Sequence, residues 1–148
     1  MAKSGSTLPS TVVQRVIGLC LLVTGIIHIL PVMGILGGDR LAQLYDIEIA
    51  TDNLSILLRH RAVLFGLLGA FLCLAAFRKH LQSLAVIGGL TSVVSFLVLA
   101  LLEPDYTAPL QKIVLADLIA LACLLIAGGL LGLQSRDDSA DTPSATEE

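Results

Sequence analysis

Four runs of about twenty apolar residues constrain this chain more than any other feature. They cover residues 12–36, 54–77, 81–102 and 110–133, and each ends at a polar or turn-forming cluster. A helix of about 20 residues crosses a hydrocarbon core roughly 30 Å thick. Lipid offers the backbone no hydrogen-bond partner, so such runs must satisfy themselves as helices. The expected architecture is all-α, an integral membrane four-helix bundle across 12–133. A polar tail, 1–11, precedes it, and an acidic, Pro-containing tail, 134–148, is expected to be disordered.

Composition agrees. Of 148 residues, 55% are hydrophobic and 14% charged, with a mean hydropathy of +0.89. That is too little charge to coat a soluble domain. The net charge of -3 comes mostly from the last residues, and no basic patch interleaved with aromatics points to nucleic acid. Cys20, Cys73 and Cys123 all lie in apolar runs. Three unpaired-looking thiols read as small packing residues rather than a disulfide framework.

The first run is longer than the apolar core of a cleavable signal peptide, roughly 7–15 residues, so it is expected to remain as a span. Pro31 marks its end or a kink. Gly37-Gly38 breaks the helix, Asp39 can cap a short interfacial segment carrying Leu41, Leu44 and Tyr45, and Asp52 and Asn53 suit the cap of the next helix. Four spans put both termini on one side. That side carries Lys3, Arg15, Arg78, Lys79 and Arg136; the other carries Arg40, Arg59, Arg61 and Lys112. If Arg59 and Arg61 belong to a site rather than to topology, the excess of basic residues places the termini in the cytoplasm.

Arg59-His60-Arg61 interrupts an apolar run. Arg59 lies about 7 Å into its span and Asp117 about 10 Å into the fourth, at 1.5 Å per residue. His28 sits at the same end of the first. Glu103 and Asp105 lie just above as a rim, with Tyr45 as a possible gate and Lys112 nearby. On the second span, Arg59, Ala62, Gly66, Gly69, Ala70 and Cys73 form a small-residue stripe, so Arg59 is expected to face the bundle and His60 to turn aside. Comparable stripes are Gly18, Gly25 and His28; Ala85, Gly88, Ser92 and Ser95; and Asp117, Ala120, Leu124 and Gly128.

A charge at a span centre costs about 2.5–3.5 kcal/mol on insertion scales. Arginine escapes by snorkelling. Asp117 is too short, so it must be protonated, hydrated or paired with Arg59 or Arg61. The triplet itself reads either as an interfacial anchor or as a site for a lipid headgroup, a quinone carbonyl or a partner helix. His28 reads as a ligand, a proton relay or a hydrogen-bonded helix-end histidine. A haem held by His28 and His60 is the weaker alternative. Nothing resembles HExxH or ExxH, and no cysteine neighbours these histidines, so no metal site is expected. GxSxG, Walker A and GxGxxG are all absent.

A glycine-containing first span ending in HILP, a connection with LAQLYDIEI, and the block RHRAVLFGLLGAF resemble small four-helix bacterial membrane proteins of the DoxX-like set, over about residues 16–133. The resemblance implies an inner-membrane protein, and for some members an association with redox complexes and quinones; it carries no assigned chemistry for the triplet. A soluble nucleotidyltransferase such as phosphopantetheine adenylyltransferase needs an α/β domain with a nucleotide loop, and this chain has neither. The functions expected are therefore a non-catalytic polar site near the periplasmic face, a small redox subunit or enzyme using quinone or haem, or a structural accessory to a membrane protein partner.

Overall fold

The computed structural model describes residues 10–32, 51–103, 105 and 107–140. Its four helices are α1 (Ser10–Ile29), α2 (Asp52–Ala76), α3 (Lys79–Leu102) and α4 (Ala108–Ala140). All four are long and apolar enough to cross a membrane, and no strand occurs among the described residues. This is the expected all-α bundle of a multi-pass membrane protein.

Local chemistry sets the ends. A short 3₁₀ turn follows α1 at residues 30–32, where Pro31 lacks the donor a continuing helix needs. At the start of α2 the cap is Thr51, whose hydroxyl accepts from the Leu54 N–H at 3.3 Å. The expected caps, Asp52 and Asn53, are instead inside the first turn, where a carboxylate favours the positive end of the dipole. Only Phe77 and Arg78 separate α2 from α3, so those two helices must run antiparallel side by side. The fourth helix also departs from expectation. Residues 134–140 continue it rather than joining a disordered tail. No Gly or Pro interrupts them, and the Gln14 side-chain amide donates to the Gln134 side-chain carboxamide oxygen at 2.8 Å, tying the end of α4 to the start of α1. Residues 141–148 lie outside the described part, as do Gly37-Gly38, Asp39, Leu41, Leu44 and Tyr45.

The helices close a ring, α1 against α2, α2 against α3, α3 against α4 and α4 against α1. The core is built from Ile17, Leu21, Leu72, Ala85, Val93, Ala120 and Leu124. Leucines and isoleucines such as Leu19, Leu67, Ile87, Leu99 and Leu115 point outward, as a lipid solvent requires. In α3 the buried line is Gln82, Ala85, Val86, Gly89 and Val93. It replaces the expected line ending at Ser92 and Ser95. Ser95 is exposed, with its hydroxyl satisfied locally by donating to the carbonyl of Ser92 at 2.8 Å.

The closest approach is between α1 and α2. A methyl group on Gly25 would fall 2.9 Å from the Gly69 carbonyl oxygen and 2.6 Å from Cys73 Sγ. One on Gly69 would fall 2.7 Å from the Gly25 carbonyl oxygen. Only glycine lets the two backbones touch here, the usual device of membrane helix pairs. We predict that Gly25→Ala and Gly69→Ala each cost about 1–3 kcal/mol, the range of overpacking. Gly129, with open space around it, should accept alanine without loss. Circular dichroism melts in detergent micelles check the contrast.

Candidate functional site

At the end of the bundle opposite the start of α1, all four helices contribute to one cavity of about 240 Å³. From α1 and the turn after it come Ile27, His28, Leu30 and Pro31; from α2, Arg61 and Phe65; from α3, Phe96; from α4, Lys112, Ile113, Ala116 and Asp117. Arg61 is nine residues past Asp52 and Asp117 nine past Ala108, so each lies about 13 Å along its helix. The two helices point the same way, which brings the two side chains to one depth. His28 meets them from the antiparallel α1.

His28 is buried, 2% exposed. Its Nδ1–H donates to the Thr24 carbonyl at 2.9 Å. That bond fixes the tautomer of the neutral ring, because a carbonyl can only accept, and it leaves Nε2 as an acceptor. Nε2 is buried and has no partner. Thr24 needs nothing from the cavity, since its hydroxyl donates to the Cys20 carbonyl at 2.9 Å. The Phe65 ring lies 5.5 Å from the imidazole, tilted by 40°. The Arg61 guanidinium sits 5.4 Å over the same ring, a cation–π contact that gains strength where water is scarce. Asp117 is 6% exposed, and the Arg61 charge acts on its carboxyl.

The structure thus brings together His28, Arg61 and Asp117. Arg59 and His60 are exposed and do not line the cavity, which corrects the expectation that Arg59 faces the bundle. The reason is angular. At 100° per residue, Arg59 lies about 60° to one side of Ala62 and Arg61 about 100° to the other. The buried residues Ala62, Gly69, Leu72 and Ala75 spread toward the Arg61 side. A stripe drawn through the small residues Gly66 and Cys73 leans the wrong way. Asp117 therefore has Arg61, not Arg59, as its cation. His28 and His60 do not converge, so the pair of axial ligands a haem would need is not assembled. Glu103 and Asp105 are exposed and stand away from the cavity; Tyr45 is outside the described residues. Among the described residues no group of three His, Cys, Asp or Glu could hold a metal ion, and all three cysteines are free thiols.

Sequence reasoning did not find Phe65 and Phe96. Both had a signal. Phe65 follows Arg61 by one turn, and Phe96 is the one Phe, Tyr or Trp of α3, in the half of that helix nearer the His28 end of the bundle. No family model matches the chain, and no curated protein or solved structure does either.

A double-mutant cycle separates the two arginines. Arg61→Ala with Asp117→Asn should show a coupling within the 0.5–3 kcal/mol seen for contacting groups, whereas Arg59→Ala with Asp117→Asn should be additive. Melting temperatures of the six proteins in one detergent check this.

Proposed function

We propose that the protein is a non-catalytic binding protein whose cavity takes a compact, largely apolar ring bearing hydroxyl groups, of the quinol class. The observation that carries the reading is the unpartnered, buried Nε2 of His28. Leaving a buried polar atom without its hydrogen bond costs about 1–3 kcal/mol, and a ligand hydroxyl removes that cost by donating to it. The walls suit a ring, since Phe65, Phe96, Ile27 and Ile113 offer faces and edges. Arg61 and Lys112 supply donors for a second oxygen on the ring, and Asp117 holds those cations in place.

The other two expected occupants fit less well. A phosphate headgroup would meet the Asp117 carboxylate and an acceptor lone pair, both unfavourable to an anion. A partner helix would need an open groove along the bundle, not a cavity gathered at one end. The DoxX-like resemblance, with its quinone-associated members, agrees with the quinol reading. The cavity end faces the periplasm of a bacterial inner membrane and both termini face the cytoplasm, in keeping with the basic residues at the terminal end.

Native mass spectrometry with a short-tailed benzoquinol tests the ligand. His28→Leu should weaken binding at least tenfold and Arg59→Ala should leave it unchanged; equal binding by both variants overturns the reading. A C-terminal fluorescent protein should light up in cells, while alkaline phosphatase at the same position should stay inactive.

A further inference from the structure

The opposite end of the bundle holds a second cavity of different chemistry. It measures about 580 Å³ and lies between the start of α1 and the α2–α3 turn. Its polar end is formed by Ser10, Thr11, Gln14, Arg15, Lys79 and Gln82, and its apolar end by Gly18, Leu19 and Leu22 with Ala76 and Phe77. No carboxylate lines it among the described residues.

Gln82 is 1% exposed, and its carboxamide oxygen is buried with no hydrogen-bond partner. An amide closed off in this way is costly unless something in the cavity donates to it. Two further features give the cavity a sign. The N-termini of α1 and α3 both open here, and their two positive dipole ends outweigh the negative end that α2 brings at Ala76 and Phe77. The first turn of α3 has no side-chain cap, since Arg78 makes none, and the first turn of α1 carries no acidic residue. Arg15 and Lys79 add two full charges.

We infer that this cavity is a phospholipid site, selective for an anionic headgroup that also carries a hydroxyl. The phosphate lies against Arg15, Lys79 and the uncapped N–H groups of α3. The headgroup hydroxyl donates to the Gln82 carboxamide oxygen. An acyl chain leaves along Leu19 and Leu22 toward the hydrocarbon. The chemistry is that of a phosphatidylglycerol-type lipid. Phosphatidylcholine has no headgroup hydroxyl, and its quaternary ammonium meets two cations. This site is independent of the His28 cavity, since the two share no residue and lie at opposite ends.

The test is native mass spectrometry of the full chain titrated with phosphatidylglycerol, phosphatidylcholine and inorganic phosphate. One phosphatidylglycerol should be held at least tenfold more tightly than phosphatidylcholine. Arg15→Gln with Lys79→Gln should remove that preference. Gln82→Met, which keeps the volume and the surrounding charges, should weaken phosphatidylglycerol severalfold. Should Gln82→Met not fold, the exposed Arg15 and Lys79 changes still decide the matter. Arg78→Gln removes a charge beside the cavity and should have no effect. The proposal is overturned if the two lipids bind alike, if Arg78→Gln weakens binding as much as Arg15→Gln, or if inorganic phosphate alone competes as well as the lipid.

Discussion

The backbone contact between Gly25 and Gly69 holds the rest of the structure in register. Because α1 and α2 run antiparallel, one turn forward from Gly25 and one turn back from Gly69 arrive at the same level. Those positions are His28 and Phe65, whose rings lie 5.5 Å apart. One more turn back along α2 is Arg61, whose guanidinium lies over the Phe65 ring. A wider or shifted crossing would separate all three. The glycines touch no ligand, yet they decide which side chains share the cavity. In lipid there is little hydrophobic drive between helices, so close van der Waals fit carries the association that apolar burial supplies in water.

The bilayer then sorts the polar groups. Charges are costly at mid-depth, and here they collect toward the two ends of the bundle. The ends differ in kind. One combines a carboxylate, an acceptor imidazole and two cations around aromatic walls, a mixture that suits a neutral ring with donors and acceptors. The other has cations, helix N-termini and an unpartnered amide with no carboxylate among the described residues, a mixture that suits an anion. Between them the core is apolar and tightly packed, with Leu72, Leu124 and Gly89 in contact. Among the described residues, the buried polar side chain between the two cavities is the self-satisfied Thr24.

The architecture was legible because its cause is one-dimensional. Lengths of apolar runs and the turns between them determine how many helices cross and in which order. The shared depth of His28, Asp117 and the Arg59-His60-Arg61 block, reckoned from Arg59, was legible for the same reason, since depth is residue number times rise. Facing was harder. The α1 line of Gly25 and His28 and the α4 line of Asp117, Ala120 and Leu124 are buried as their stripes imply. The α2 and α3 lines are rotated from theirs, because a stripe of small residues shows where helices can approach, not where the centre of the buried arc lies. Gln82 escaped notice because an uncharged amide in an apolar run carries no charge to count. The helical continuation through residues 134–140 was hidden by acidic composition, which tertiary contact with Gln14 offsets.

The sequence by itself determined four membrane-crossing helices, antiparallel neighbours, and polar residues at one shared depth, since these follow from run length, turn length and helical rise. Only the tertiary structure decided that Arg61 rather than Arg59 joins His28 and Asp117, that Phe65 and Phe96 wall the cavity, and that His28 presents a free acceptor. Those outcomes depend on the rotation of each helix about its own axis. That rotation is set by the sum of contacts with two neighbours at once, and a few tens of degrees, worth little on any single helix, move a side chain from lipid to cavity.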